Sequence, residues 1–198
     1  MEARFFGGCR SAMTVENLVI LLEEPSAKKM LDVVVPKILP PGISHRCIPF
    51  QGKSDLEKNI SLKIRAWQKP NSVFLVMRDQ DSGDCKLVKK KLLEECENSR
   101  RPKKDYLVRI ACHELESFYL GDLDAVRKAG FNINLSKKIK NPDEKSNAAE
   151  MLSKITGGEY QKIQGSAAIA PFLKLDGSNQ STSFNMLISG IRKIVGLP

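Results

Sequence analysis

The chain has 198 residues, 41% of them hydrophobic and 28% charged. That suits one domain large enough to bury a core, and the apolar content excludes a disordered chain. Its 32 Lys and Arg outnumber 23 Asp and Glu, a net charge of +9 at pH 7 that points to a polyanionic partner.

Residues 1–14 read as a loose extension, and Met13 could serve as the native start. The N-terminal apolar stretch is too short to cross a membrane and runs into two glutamates, so neither a signal peptide, an anchor nor membrane association is expected. The five cysteines, at 9, 47, 85, 96 and 112, show no C-x-x-C spacing. Their odd count predicts a reducing cytoplasm and no disulfides.

In chain order, the apolar run from Asn17 to Leu22 predicts a strand that stops at Glu23-Glu24-Pro25-Ser26, followed by a helix from Ser26 to Ile38. A strand around Arg46 to Phe50 and a helix from Leu56 to Trp67 come next. Val73-Phe74-Leu75-Val76-Met77 predicts a strand ending at Asp79, then a helix from Lys86 to Cys96 and a basic loop holding Pro102. A strand from Leu107 to Cys112 leads into a helix containing Glu116. Strand and helix alternate, which implies βαβ units and a mostly parallel central sheet flanked by helices, an α/β fold over residues 15–130. Residues 131–198 turn mostly helical, with Ala148 to Ile155, Ser166 to Leu173 and Phe184 to Val195, and are expected to pack on that domain. Internal repeats are lacking.

Three strands end in acids. Asp79-Gln80-Asp81 places two carboxylates two residues apart, where strand alternation aims them to one side and a hard divalent cation could be held. A D-x-D is also common turn chemistry, and Ser82-Gly83-Asp84 continues the loop. Glu23 ends the first strand, and in an open parallel sheet such groups gather at the carboxyl ends; the plainer role is a helix-start acid, open also to Glu24. His113-Glu114-Leu115-Glu116 follows the last strand, and the spacing of Glu114 and Glu116 lets one of them at most reach a metal. H-E-x-x-H would need a second histidine where Ser117 stands, so catalytic zinc is not expected.

Lysines and arginines cluster at Lys86, Lys89, Lys90 and Lys91, at Arg100, Arg101, Lys103 and Lys104, and at Lys137, Lys138 and Lys140. They could grip phosphates around an acidic centre; for Lys89 to Lys91 a solvated helix face suffices. Gly52-Lys53-Ser54 imitates the end of a phosphate-binding loop, but Cys47 stands where that motif needs its first glycine. His45 and His113 lack the context of a serine or cysteine nucleophile.

Leu22-Glu23-Glu24-Pro25-Ser26, the stretch from Arg78 to Cys85 and the stretch from Arg109 to Asp122 resemble a small stand-alone TOPRIM-related family of bacterial proteins. Gly52 to Leu56 and Ser181-Thr182-Ser183-Phe184 extend the resemblance over most of the chain. It implies a TOPRIM-like (Rossmann-like) fold akin to OLD-type nucleases, with Mg²⁺ (or Mn²⁺) held by Glu23, Asp79 and Asp81; beside that implied set, Glu114 or Glu116 is the candidate to complete a catalytic site through a second ion or its outer shell. It further implies nucleic acid as substrate and a neighbouring ATPase as partner in phage defence. The pattern's glutamate is usually followed by glycine; here Glu24 follows, which favours as an alternative a non-catalytic module that binds nucleic acid or the ATPase. Monomer or homo-oligomer is left open.

Overall fold

The computed structural model describes residues 15–133 and 139–198. The extension at 1–14, with Cys9 and Met13, and the lysines 137 and 138 lie outside the described residues.

Four strands form one parallel sheet in the order β2-β1-β3-β4. The two central strands, β1 (Asn17–Leu22) and β3 (Ser72–Asp79), are apolar on both faces and buried almost throughout. Helices covering both sides of the sheet demand that composition. The edge strand β2 (Ser44–Pro49) is polar and partly exposed, and so begins two residues before its apolar signal suggests. On the far edge lies β4 (Tyr106–Ala111).

Side-chain alternation divides the interior into two cores. Leu18, Ile20, Leu22, Val73, Leu75 and Met77 face one side, against Met30, Leu31 and Val34 of α1 (Pro25–Val34). Val19, Leu21, Phe74 and Val76 face the other, against Leu56, Ile60 and Ile64 of α2 (Lys53–Arg65) and Leu92 and Cys96 of α3 (Cys85–Glu97). Truncating a fully buried member such as Ile60 to alanine costs about 2–5 kcal/mol. Three local signals set the helix ends. Pro25 stops β1 and opens α1, since its missing N–H would be unpaired there anyway. Pro36 converts the expected last turn of that helix into a 3-10 turn over Val35–Lys37. Gly52, at φ 94°, lets the chain turn into α2 three residues earlier than the apolar periodicity indicates.

The remaining helices join the α1 side. They are α4 (Ser117–Leu120), α5 (Leu123–Lys128), α6 (Ala148–Ile155), α7 (Lys162–Ile169) and α8 (Thr182–Ile194). Leu152, Ile169, Phe184, Leu187 and Ile191 belong to the same core as Leu18 and Ile20, so the C-terminal helices complete one face of the sheet. α7 starts at Lys162, four residues before the expected helix, and gives way to a 3-10 turn at Ala170–Phe172. The start of α8 is fixed twice: Ser181 accepts from the Phe184 N–H at 3.1 Å, and Asp143 accepts from the Ser183 N–H at 2.7 Å.

The connections determine where a ligand can sit. From β1 the chain steps through α1 to β2 on one side, then crosses back through α2 to β3 on the other side and moves outward to β4. The direction reverses between β1 and β3. In open parallel sheets the crevice beyond the carboxyl ends at such a point is the usual binding place. Glu23 and Asp79 occupy those two neighbouring ends.

Candidate functional site

Strand alternation sends the expected acids to two sides of the sheet ends. Leu22 packs in the α1 core, so Glu23 turns towards α2, as Arg78 does from β3. Arg78 is 5% exposed and lies among three carboxylates: Glu57 Oε1 at 2.7 Å, Asp81 Oδ2 at 3.1 Å and Glu23 Oε2 at 3.6 Å. Glu23 Oε2 also accepts the backbone N–H of Asp79 at 3.1 Å, which ties the ends of β1 and β3 together. Burial raises the Glu23 carboxyl above the usual range, and Arg78 opposes that shift. Lys53 Nζ reaches Asp81 Oδ2 at 3.1 Å, so the lysine of the false phosphate loop stands at the site's rim. Beside it a groove of about 440 Å³ runs between Lys53, Arg78, Asp81 and Lys91.

Asp79 points to the α1 side, and there its neighbours are Glu24 and Glu116 rather than Asp81. Burial, followed by the charges of Glu24 and Glu116, holds its carboxyl well above the ordinary carboxylate range. Glu24 is the residue before α1, half-buried, and accepts a hydrogen bond from Ser26 Oγ. Glu116 is fully buried at the start of α4; its Oε1 accepts from the Tyr160 hydroxyl at 2.9 Å, while its Oε2 has no hydrogen-bond partner among the described residues. Burial raises this carboxyl also. Glu114 takes another course, with Oε2 accepting the Ala149 N–H at 2.8 Å at the start of α6. A carboxylate there meets the positive end of the helix.

Among the described residues a cation, Lys162, faces this group. Lys162, the first residue of α7, loses by partial burial but gains more from Glu116, Glu24, Asp79 and Glu114, and its pKa is raised. Lys162, Tyr160, Arg78 and Lys53 are the members that reading the sequence misses. Only Lys53 carried a local signal, the Gly-Lys-Ser turn; the others become visible when the chain is folded.

The loops after β3 and β4 are laced together. Gln80 N–H donates to the Ala111 carbonyl at 2.9 Å and Asp81 N–H to the His113 carbonyl at 2.9 Å, extending the parallel ladder past the strands. Asp81 and His113 both have left-handed backbone, φ 55° and 58°. Such conformations outside glycine collect where a fold fixes functional groups.

The donor set suits a hard divalent cation. Oxygen ligands are what Mg²⁺ and Mn²⁺ prefer, and Asp79, Glu24 and the unpartnered Glu116 Oε2 are negative groups whose mutual repulsion a cation would relieve. Among the described residues, the trio of potential ligand atoms found within 4.8 Å of one another is a different one, Asp32, His45 and Cys47. Gathering the acids onto one ion therefore involves side-chain rotation.

The basic clusters divide likewise. Lys91 lines the groove and pairs with Glu57 at 2.7 Å. The stretch from Arg100 to Lys104 leads into β4 at its amino end, the end of the sheet away from Asp79. Arg101 lies over the Phe74 ring, 5.5 Å from its centroid. No helix among the described residues is long and apolar enough to cross a membrane.

These features make the chain an α/β protein with a parallel sheet and acids gathered at its switch point. The chain belongs to the family described as "Domain of unknown function (DUF4276)", whose model matches residues 22–192. No curated protein matches it. Among solved structures it is similar to the C-terminal region of the Burkholderia pseudomallei OLD protein, with a TM-score of 0.52 and 17% identity over 90% of this chain and 98% of that one. The C-terminal region of the Xanthomonas campestris pv. campestris OLD protein gives a TM-score of 0.46 and 14% identity, over 90% of this chain and 95% of that one. At these identities the likeness concerns the fold, which is TOPRIM-like.

Proposed function

We propose that this chain is a metal-dependent phosphodiesterase of nucleic acid, acting in the cytoplasm with an ATPase partner in defence against phage. The observation that carries the reading is the grouping of Asp79, Glu24 and Glu116 opposite Lys162 at the switch point of the sheet. Mg²⁺ or Mn²⁺ would be held by Asp79 with Glu24 and Glu116 on one side, and Glu23 and Asp81 on the other. Bound there, the ion supplies Lewis-acid polarisation of a phosphate oxygen and a more acidic water.

The chain's own groups have separate tasks. Tyr160 fixes the Glu116 carboxylate through its hydroxyl and leaves the second oxygen for the ion. Lys162 offsets charge developing on the phosphate, a role worth about 10²–10³ in rate where a donor is preorganised. Lys53 and Lys91 line the groove in which a nucleic-acid backbone can lie, and the net charge of +9 favours its approach. The ATPase partner and the defence role follow the resemblance, over most of the chain, to the TOPRIM-related family.

The test is cleavage of labelled DNA and RNA by the purified chain with Mg²⁺ or Mn²⁺, alongside Asp79→Asn. Activity should require the ion and vanish in the variant while its circular dichroism stays unchanged; equal cleavage by Asp79→Asn would remove the proposal.

One observation favours a second reading. Arg78 already supplies a positive charge among Glu23, Glu57 and Asp81, as would suit a non-catalytic module that binds nucleic acid or the ATPase. Metal titration by calorimetry separates the two. A chain that ignores Mg²⁺ and Mn²⁺ yet keeps its affinity for nucleic acid is the binding module.

A further inference from the structure

Away from the acids, at the edge of the sheet, α1 and β2 bring together three side chains of a different chemistry. His45 and Cys47 are two residues apart on β2 and therefore share a face, the one turned to α1, from which Asp32 projects. One ligand atom from each, a carboxylate oxygen, an imidazole nitrogen and a thiol sulfur, lies within 4.8 Å of the other two. Cys47 is buried, and Asp32 and His45 are half-exposed, so the group has a dry floor and an opening to solvent.

We infer that Asp32, His45 and Cys47 form a binding site for one zinc-class transition-metal ion, with water as its fourth ligand. Metal–ligand bonds of about 2.0–2.3 Å place neighbouring ligand atoms about 3.3–3.7 Å apart in a tetrahedron. The observed trio needs only a contraction of about an ångström at its widest, within the reach of side-chain torsions. The thiolate and imidazole select a borderline-soft ion and disfavour Mg²⁺, which takes oxygen ligands. On binding, the Cys47 thiol loses its proton to solvent, and the ion replaces the Lys28 ammonium that now pairs with Asp32. The ion fastens the edge strand, otherwise held to the sheet by β1 alone, to α1.

The inference is independent of the proposed nuclease site and is tested apart from it. Co²⁺ is titrated into the full chain under a non-thiol reductant, and the thiolate-to-cobalt charge-transfer band and the tetrahedral d–d bands are followed. One equivalent should develop both, and Zn²⁺ should displace it. Cys47→Ser should abolish the charge-transfer band, His45→Ala should weaken binding at least about tenfold, the effect usual for disturbing a metal site, and Asp79→Asn should leave both unchanged. Asp32→Asn, a nearly isosteric change at a half-exposed position, should weaken Co²⁺ binding with the fold intact, and carries the test if Cys47→Ser does not fold. Absence of the band in the parent chain, its persistence in a folded Cys47→Ser protein, or unchanged affinity in Asp32→Asn would overturn the assignment.

Discussion

Asp81 and His113 hold each other across two loops. The Asp81 N–H donates to the His113 carbonyl at 2.9 Å, and His113 Nδ1 stands 3.3 Å from the Asp81 carbonyl oxygen. Each sits at positive φ, where a β-branched side chain is strained and glycine is not. His113→Val should therefore lower stability by about 1–3 kcal/mol, and His113→Gly should lose distinctly less. Urea unfolding of the three proteins checks this; equal losses in both variants would mean that the ring contact, not the backbone, matters at this position.

Arg78 is the buried hub of a second relationship. Removing its charge leaves Glu23, at 16% side-chain exposure, without its cationic partner, and leaves Glu57, at 17%, with Lys91 alone. Arg78→Gln should cost about 3–5 kcal/mol, the scale of breaking a largely buried ion pair from one side. Thermal unfolding at neutral pH measures it, and a loss under about 1 kcal/mol would show the cluster to be screened like a surface pair.

The raised carboxyls set a pH dependence. Burial holds Asp79, Glu116 and Glu23 protonated to higher pH in the folded chain than in the unfolded one, where carboxyls titrate near pH ~4. Over that window the native state binds more protons, so the contribution of these groups is full below the unfolded pKa and is lost as pH rises through the folded values. Metal-free protein should accordingly give a denaturant midpoint that falls as pH rises above about 4, with a shallower slope in Asp79→Asn. An identical slope in the variant would show that Asp79 does not contribute.

A glycine positions Glu116 indirectly. A Cβ on Gly165 would come within 2.3 Å of the Tyr160 ring, whose hydroxyl binds Glu116. Gly165→Ala should displace that ring and cost about 1–3 kcal/mol through overpacking, despite alanine's better helix propensity. It should also lower any nuclease activity more than Tyr160→Phe, which removes the hydrogen bond while keeping the ring.

The strands of the α/β half are legible because β1 and β3 are buried on both sides and so read as unbroken apolar runs bounded by acids. Alternation after Leu22 could also be read from sequence, and it explains why Glu23 and Glu24 part company at Pro25. The pairing of Asp79 with Glu24 and Glu116 was not legible, since it depends on how α1 and α4 approach the strand ends. Lys162 and Tyr160 come from a segment where Gln161, Gln164 and Gly165 give no clear helical periodicity, so α7 begins four residues ahead of the apolar signal at Ser166. Arg78 carries no signal of its own between the apolar run and Asp79; its three carboxylate partners come from the residue after β1, from α2 and from its own loop.

The late position of Lys162 bears on synthesis. A ribosome releases Glu24, Asp79 and Glu116 well before the segment carrying their counter-charge, so the growing polypeptide passes through a stage with an uncompensated acidic mouth.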